Sequence, residues 1–151
     1  MHRTIRSHII RLVSLVLGLL LPLGAQARET ELFVSAEGAV NSEHAVGYLL
    51  DVPFFLKGLP GAPTGKALFT VTSEQATRGA FRSDTASCRI AFLTALRKLQ
   101  ERARRDGGDA VVNIVSVTRD VRTESPTDFR CVAGAMIVHV GLEGTILDVE
   151  N

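Results

Sequence analysis

The chain has no tryptophan, a single tyrosine and only two cysteines among 151 residues, and aromatics make up 5% of it. Without tryptophan there is no broad aromatic platform for stacking sugars or nucleobases. Basic excess is missing too. Lys and Arg number 17 against 16 acids, and Arg3, Arg6 and Arg11 all precede residue 12. The stretch from Arg28 onward therefore carries 14 cations against 16 carboxylates, about −2 with neutral histidines. That balance excludes the basic footprint of a nucleic-acid-binding domain. Gly-x-Ser-x-Gly, Cys-x-x-Cys and paired carboxylates in a recognisable cleft are all absent, so no catalytic or cofactor signature can be read. Gly61-Ala-Pro-Thr-Gly65-Lys66-Ala67 resembles a phosphate loop only superficially. It has three residues between its glycines instead of four and no Ser or Thr after the lysine to hold magnesium. No nucleotide is expected, and no metal or other cofactor.

The long apolar run that is present sits at the amino terminus. Leu12–Leu21 follows three arginines and precedes Ala25-Gln26-Ala27, the layout of a secretory signal peptide cleaved after Ala27. About ten apolar residues are too few for a span, which needs roughly 20. Gln26 stands where a lipid-bearing cysteine would be, so no lipid anchor and no membrane span are expected. Residues 1–27 are read as a leader and 28–151 as one domain, periplasmic or secreted, in a compartment where disulfides persist.

Two cysteines in an exported chain pair by default. Cys88 falls at the start of the clearest helix and Cys131 at the start of a strand, so a bridge would staple helix to sheet. The rival readings are a redox-responsive thiol pair, favoured by a helix amino terminus, and a metal site helped by His44 or His139. The helix itself is marked by Cys88, Phe92, Ala95, Leu96, Leu99 and Ala103 at steps of three and four. Ser83 or Asp84 caps it and Gly107-Gly108 ends it.

Around it, residues 48–56 and 66–72 read as strands, joined as a hairpin by a turn-rich stretch from Gly58 to Gly65. Pro53 puts the first at a sheet edge. Ala110–Val117 reads as a strand, and 129–142 as one long last strand. On that strand Val132, Met136, Val138, Val140 and Leu142 share a side, which forms a candidate partner surface if the rest of the chain leaves it open. His139 and Asn113 are polar residues inside apolar runs and are candidate polar-site residues. Residues 29–46 carry little legible pattern. The fold class expected is α+β, a small, mostly antiparallel sheet with one principal helix and a single disulfide.

The run Ser87-Cys88-Arg89-Ile90-Ala91-Phe92, the run Gly107-Gly108-Asp109-Ala110-Val111-Val112-Asn113 and Phe129-Arg130-Cys131-Val132-Ala133-Gly134 resemble a group of small exported proteobacterial proteins of unknown function. Some of these bear the label "excinuclease ATPase subunit". A helix leading into Gly-small-Asp-Ala-Val and a strand is more distantly similar to YbjQ-like and RcsF-like domains. The resemblance implies a compact α+β domain. It agrees with a non-enzymatic periplasmic binding or envelope-stress accessory role through an envelope protein, or through self-association on the apolar sheet face. The alternatives are a redox or metal sensor using Cys88 and Cys131, and a small hydrolase with an unrecognised site.

Overall fold

The computed structural model describes residues 28–149. The expected leader, residues 1–27, and its expected cleavage after Ala27 lie outside the described residues. Strand β1 (Glu29–Ser35) is followed by a short helix α1 (Ala36–Val40), β2 (Phe54–Leu56), β3 (Gly65–Arg78) and the main helix α2 (Asp84–Arg105). Then come β4 (Ala110–Ser116), β5 (Asp128–Gly134) and β6 (Ile137–Val149). All six strands form one sheet, antiparallel throughout except for the β2–β4 pair.

The sheet is built around β6, whose length lets it serve three partners. Along one edge it pairs with β3 over its whole span, from Arg78↔Ile137 to Gly65↔Val149. Its other edge is divided. The first part takes β5, with Val132↔His139, and the second takes β4, from Ser116↔Leu142 to Ala110↔Leu147. At the fork, the segment after β4 turns over Gly141, where a Cβ would meet the Val117 backbone at 3.0 Å. The fully buried Thr118 hydroxyl donates to Arg130 O at 2.8 Å and accepts from Gly141 N at 2.9 Å. One side chain thus supplies hydrogen bonds that the ladder lacks where two strands diverge.

Helix α2 lies across one face. Ser83 caps it, its side chain accepting from Ala86 N at 3.2 Å, and Gly107 leaves it with φ +78. Its apolar stripe, including Phe92, Leu96 and Leu99, is fully buried with Val138, Val140 and Ile146 in one core. Phe92 stacks on Phe129 of β5 with ring centroids 4.2 Å apart. Cys88 and Cys131, both 0% exposed, form the disulfide across a Cα separation of 5.9 Å. It ties the first turns of α2 to β5. The buried Gln100 amide fastens the irregular stretch before β2, donating to Leu50 O at 3.0 Å and Val52 O at 2.8 Å, and accepting from Leu50 N.

Two expectations are corrected, and a stretch without legible pattern takes form. The last strand is two: β5 and β6 form a hairpin turning at Ala135-Met136. Chain reversal there swaps the side parity on which a single strand 129–142 depends. Segments 54–56 and 65–78 do not pair with each other; β2 joins β4 and β3 joins β6 at separate edges. Residues 29–46 hold an ordered strand and helix, with β1 on β5 from Glu29↔Gly134 to Ser35↔Asp128.

Candidate functional site

The hairpin redistributes the apolar residues of the expected partner surface. Val138, Val140 and Leu142 are at most 1% exposed and pack in the core beneath α2. They belong with Cys131 and Ala133 on the helix side and present nothing to a partner. Val132 is buried on the opposite face, across from His139. Met136 is at the hairpin tip and 68% exposed. The face opposite α2 is not an apolar sheet. Thr70, Thr72, Glu74 and Ala76 of β3 are exposed there, and the segment after β4 roofs part of it. Arg122 on that roof meets Glu143 at 2.6 Å, and Arg119 N donates to Glu74 at 3.2 Å.

Asn113 takes a backbone role. It sits at an irregularity of β4, where Val112↔Thr145 is followed by Val115↔Glu143, one residue longer on β4 than on β6. Its φ is +53 and it is exposed. Asparagine tolerates the left-handed region better than the β-branched residues around it. The residue is thus explained by the bulge it allows.

His139 is half-buried and lines a hollow of about 300 Å³ on the open face, with Arg28, Glu29, Arg119, Val132 and Met136 around it. Arg28 is paired with Asp84, and Arg119 with Glu29 at 3.5 Å. Among the described residues no Ser, Thr or Cys lines the hollow. Among the described residues no group of three or more His, Cys, Asp or Glu is arranged to hold a metal. Both sulfurs of the disulfide are sealed in the core, so thiol attack on them requires the α2–β5 contact to open. No helix among the described residues is long and apolar enough to cross a membrane.

Three strands stand at sheet edges: β1, β2 and β3, of which β1 is seven residues long and pairs with β5 alone. At the Pro53 end, β2 is three residues long and adjoins an apolar hollow of about 290 Å³ lined by Val40, Phe54, Leu56, Leu59 and Pro126. The longest edge is β3. Over 14 residues it pairs with β6 alone. Gly79 N donates to Met136 O at 2.8 Å, while Val117 N donates to Gly141 O and Gly141 N to Thr118, turning Gly141 away from β3. With the register Thr77↔Val138, Gln75↔Val140 and Ser73↔Leu142, this phase directs the N–H and C=O of Thr70, Thr72, Glu74 and Ala76 outward.

Beside this edge runs a polar groove of about 470 Å³ between β3 and the flank of α2, lined by Val71–Gln75, Lys98, Glu101, Arg102 and Arg105. Arg102 lies over the Phe69 ring at 5.0 Å. Hydrogen bonds from Lys98 and then Arg97 hold the Glu101 carboxyl below the usual carboxylate range. The α2 flank is therefore a braced wall of paired charges. The sequence signalled this edge only weakly, because Lys66–Thr72 reads as a strand but Ser73–Arg78 is too polar to be seen as its continuation. Comparison with protein-family models, with curated proteins and with solved structures finds no match, so the resemblance to small exported proteins rests on the motifs that carry it.

Proposed function

We propose that this protein is an exported, non-enzymatic binding module of the cell envelope, and that it takes an extended segment of a protein partner as an added strand on β3. The observation that carries the reading is the 14-residue edge with outward backbone groups from Thr70 to Ala76. A row of unpaired N–H and C=O groups is a template for another strand. Natural edges are shortened, bulged or charged to suppress this. Here the irregularity falls early, between Ala67 and Phe69, and Lys66 and Arg78 stand at the ends. Of the outward residues, Thr70 and Thr72 are strand-favouring, Ala76 is small, and Glu74 is the one charge among them. The adjoining groove gives an incoming segment's side chains a polar wall on the α2 side. A periplasmic setting accords with the leader pattern at residues 1–27 and with the disulfide.

The test is photocrosslinking in living cells from a reactive residue placed at Thr72, with Val121 as a control position across the open face. The reading expects a defined envelope-protein adduct from position 72, absent from 121. It also expects that Ala76→Pro, which removes an outward N–H without touching the β6 ladder, abolishes the adduct in a folded protein. Equal adducts from both positions, or an adduct that survives Ala76→Pro, contradict strand addition.

A further inference from the structure

At the end of the sheet where β3 finishes and β5 turns into β6, two loops meet. Gly79 N donates to Met136 O, and Arg82 N donates back to Gly79 O at 3.3 Å, closing a four-residue turn. Phe81 occupies the third position of that turn with φ +68. Such turns place glycine or asparagine there, because a side chain with a Cβ is strained in the left-handed region. Phe81 is also fully exposed, and Met136 and Ile137 on the neighbouring tip are 68% and 45% exposed. A bulky aromatic in a strained conformation, with its ring entirely in solvent, contributes nothing to the fold that holds it. Scattered exposed apolar residues need no explanation, but three on two adjoining loop tips form a protruding apolar point.

The unpaired charge beside it is positive. Arg78 lies directly opposite Ile137 in the ladder, and Arg82 follows Phe81. Both are exposed, and neither makes an ion pair among the described residues. The nearby carboxylates, Asp84 and Glu29, are already taken by Arg28 and Arg119. An apolar point flanked by unpaired arginines is complementary to one surface chemistry: acyl chains beneath anionic headgroups.

We propose that this tip is a membrane-docking point, in which Phe81, Met136 and Ile137 enter the headgroup–acyl boundary of an anionic phospholipid surface while Arg78 and Arg82 pair with its phosphates. The docking is peripheral and salt-sensitive, and it is independent of strand addition at the β3 edge.

The experiment is flotation of the protein, expressed from its full sequence and recovered in soluble form from the envelope, with vesicles of phosphatidylethanolamine and phosphatidylglycerol, and separately with phosphatidylcholine alone. The expected result is co-flotation with the anionic vesicles that falls at high salt and is weak on phosphatidylcholine. Phe81→Gly relieves the backbone strain, so it should leave the melting temperature unchanged or raised while lowering vesicle partitioning about tenfold. Arg78→Ser with Arg82→Ser should remove the preference for anionic lipid. Wild-type protein that stays with the soluble fraction, or Phe81→Gly protein that floats like wild type, overturns the proposal. So does a concentration-dependent dimer, formed without vesicles, that Phe81→Gly abolishes, since it assigns the tip to a second copy of the chain.

Discussion

Replacing both cysteines, Cys88→Ala with Cys131→Ala, should remove a large part of the stability of this fold. The bridge closes a sequence separation of 43. Loop-closure entropy for a crosslink of that length amounts to about 4 kcal/mol at 25 °C. Both sulfurs are 0% exposed in the core between α2 and β5, so their deletion also loses packing, about 1 kcal/mol for each truncated side chain. The combined loss is about 4–6 kcal/mol. Unfolding entropy is roughly 2.1 cal/mol/K per residue, or about 0.25 kcal/mol/K over the roughly 120 residues described. The melting temperature should therefore drop by about 16–24 °C. Thermal unfolding followed by far-ultraviolet circular dichroism on oxidised wild type and the double variant measures this. In parallel, glutathione at the poise of an oxidising compartment should leave the native bridge intact, because attack must wait for the core to open. A drop of less than about 5 °C, or ready reduction of the folded protein, would refute the assignment of a structural staple and favour a responsive thiol pair.

Further predictions concern single side chains. Gln100→Ala strands the backbone groups of Leu50 and Val52 that its amide satisfies, and should cost about 2–4 kcal/mol in denaturant unfolding. At Asn113, whose φ is +53, glycine should be neutral or slightly stabilising, whereas valine should cost about 1–2 kcal/mol; equal effects would remove the backbone explanation of that residue. Three carboxyls are held below the usual range: Glu101 by Lys98 and Arg97, Asp106 by Arg102 and Arg105, and Glu124 by Lys57 and Arg122. A depressed carboxyl contributes stability above its unfolded pKa of about 4 and loses it as pH falls through the lower folded value. The melting temperature should decline as pH is lowered below about 4.5, by a modest amount that salt reduces, since all three carboxyls lie at the surface.

What could be read from the residues depended on the strength of local signals. Helix α2 announced itself through apolar spacing, the Ser83 cap and Gly107, and all three are present in the fold. The disulfide followed from counting two cysteines, and the α+β class from one long helix among strand-forming runs. The hairpin at Gly134–Ile137 was hidden because apolar residues continue through it: Ala135, Met136 and Ile137 carry no turn chemistry beyond Gly134. That concealment misplaced the partner surface, since inserting a reversal exchanges the faces and sends Val138, Val140 and Leu142 into the core. Strand β1 was obscured by Glu29 and Glu31, which alternate with core-directed Leu32 and Val34 only when paired with β5. His139 was visible as a polar residue among apolar ones, but its hollow is assembled from Arg28, Glu29 and Arg119, distant in sequence. Phe81 shows no abnormality until its φ is known.

Amide hydrogen exchange, read residue by residue along β3 in the protein alone and in its crosslinked envelope complex, decides whether β3 receives a partner strand. In the free protein the amides of Ser73, Gln75 and Thr77, which face β6, should exchange slowly, while those of Thr70, Thr72, Glu74 and Ala76 exchange fast. In the complex the second set should become protected and the first remain unchanged. Protection that appears elsewhere on the molecule, with the outward amides of β3 still exchanging fast, would contradict strand addition at this edge.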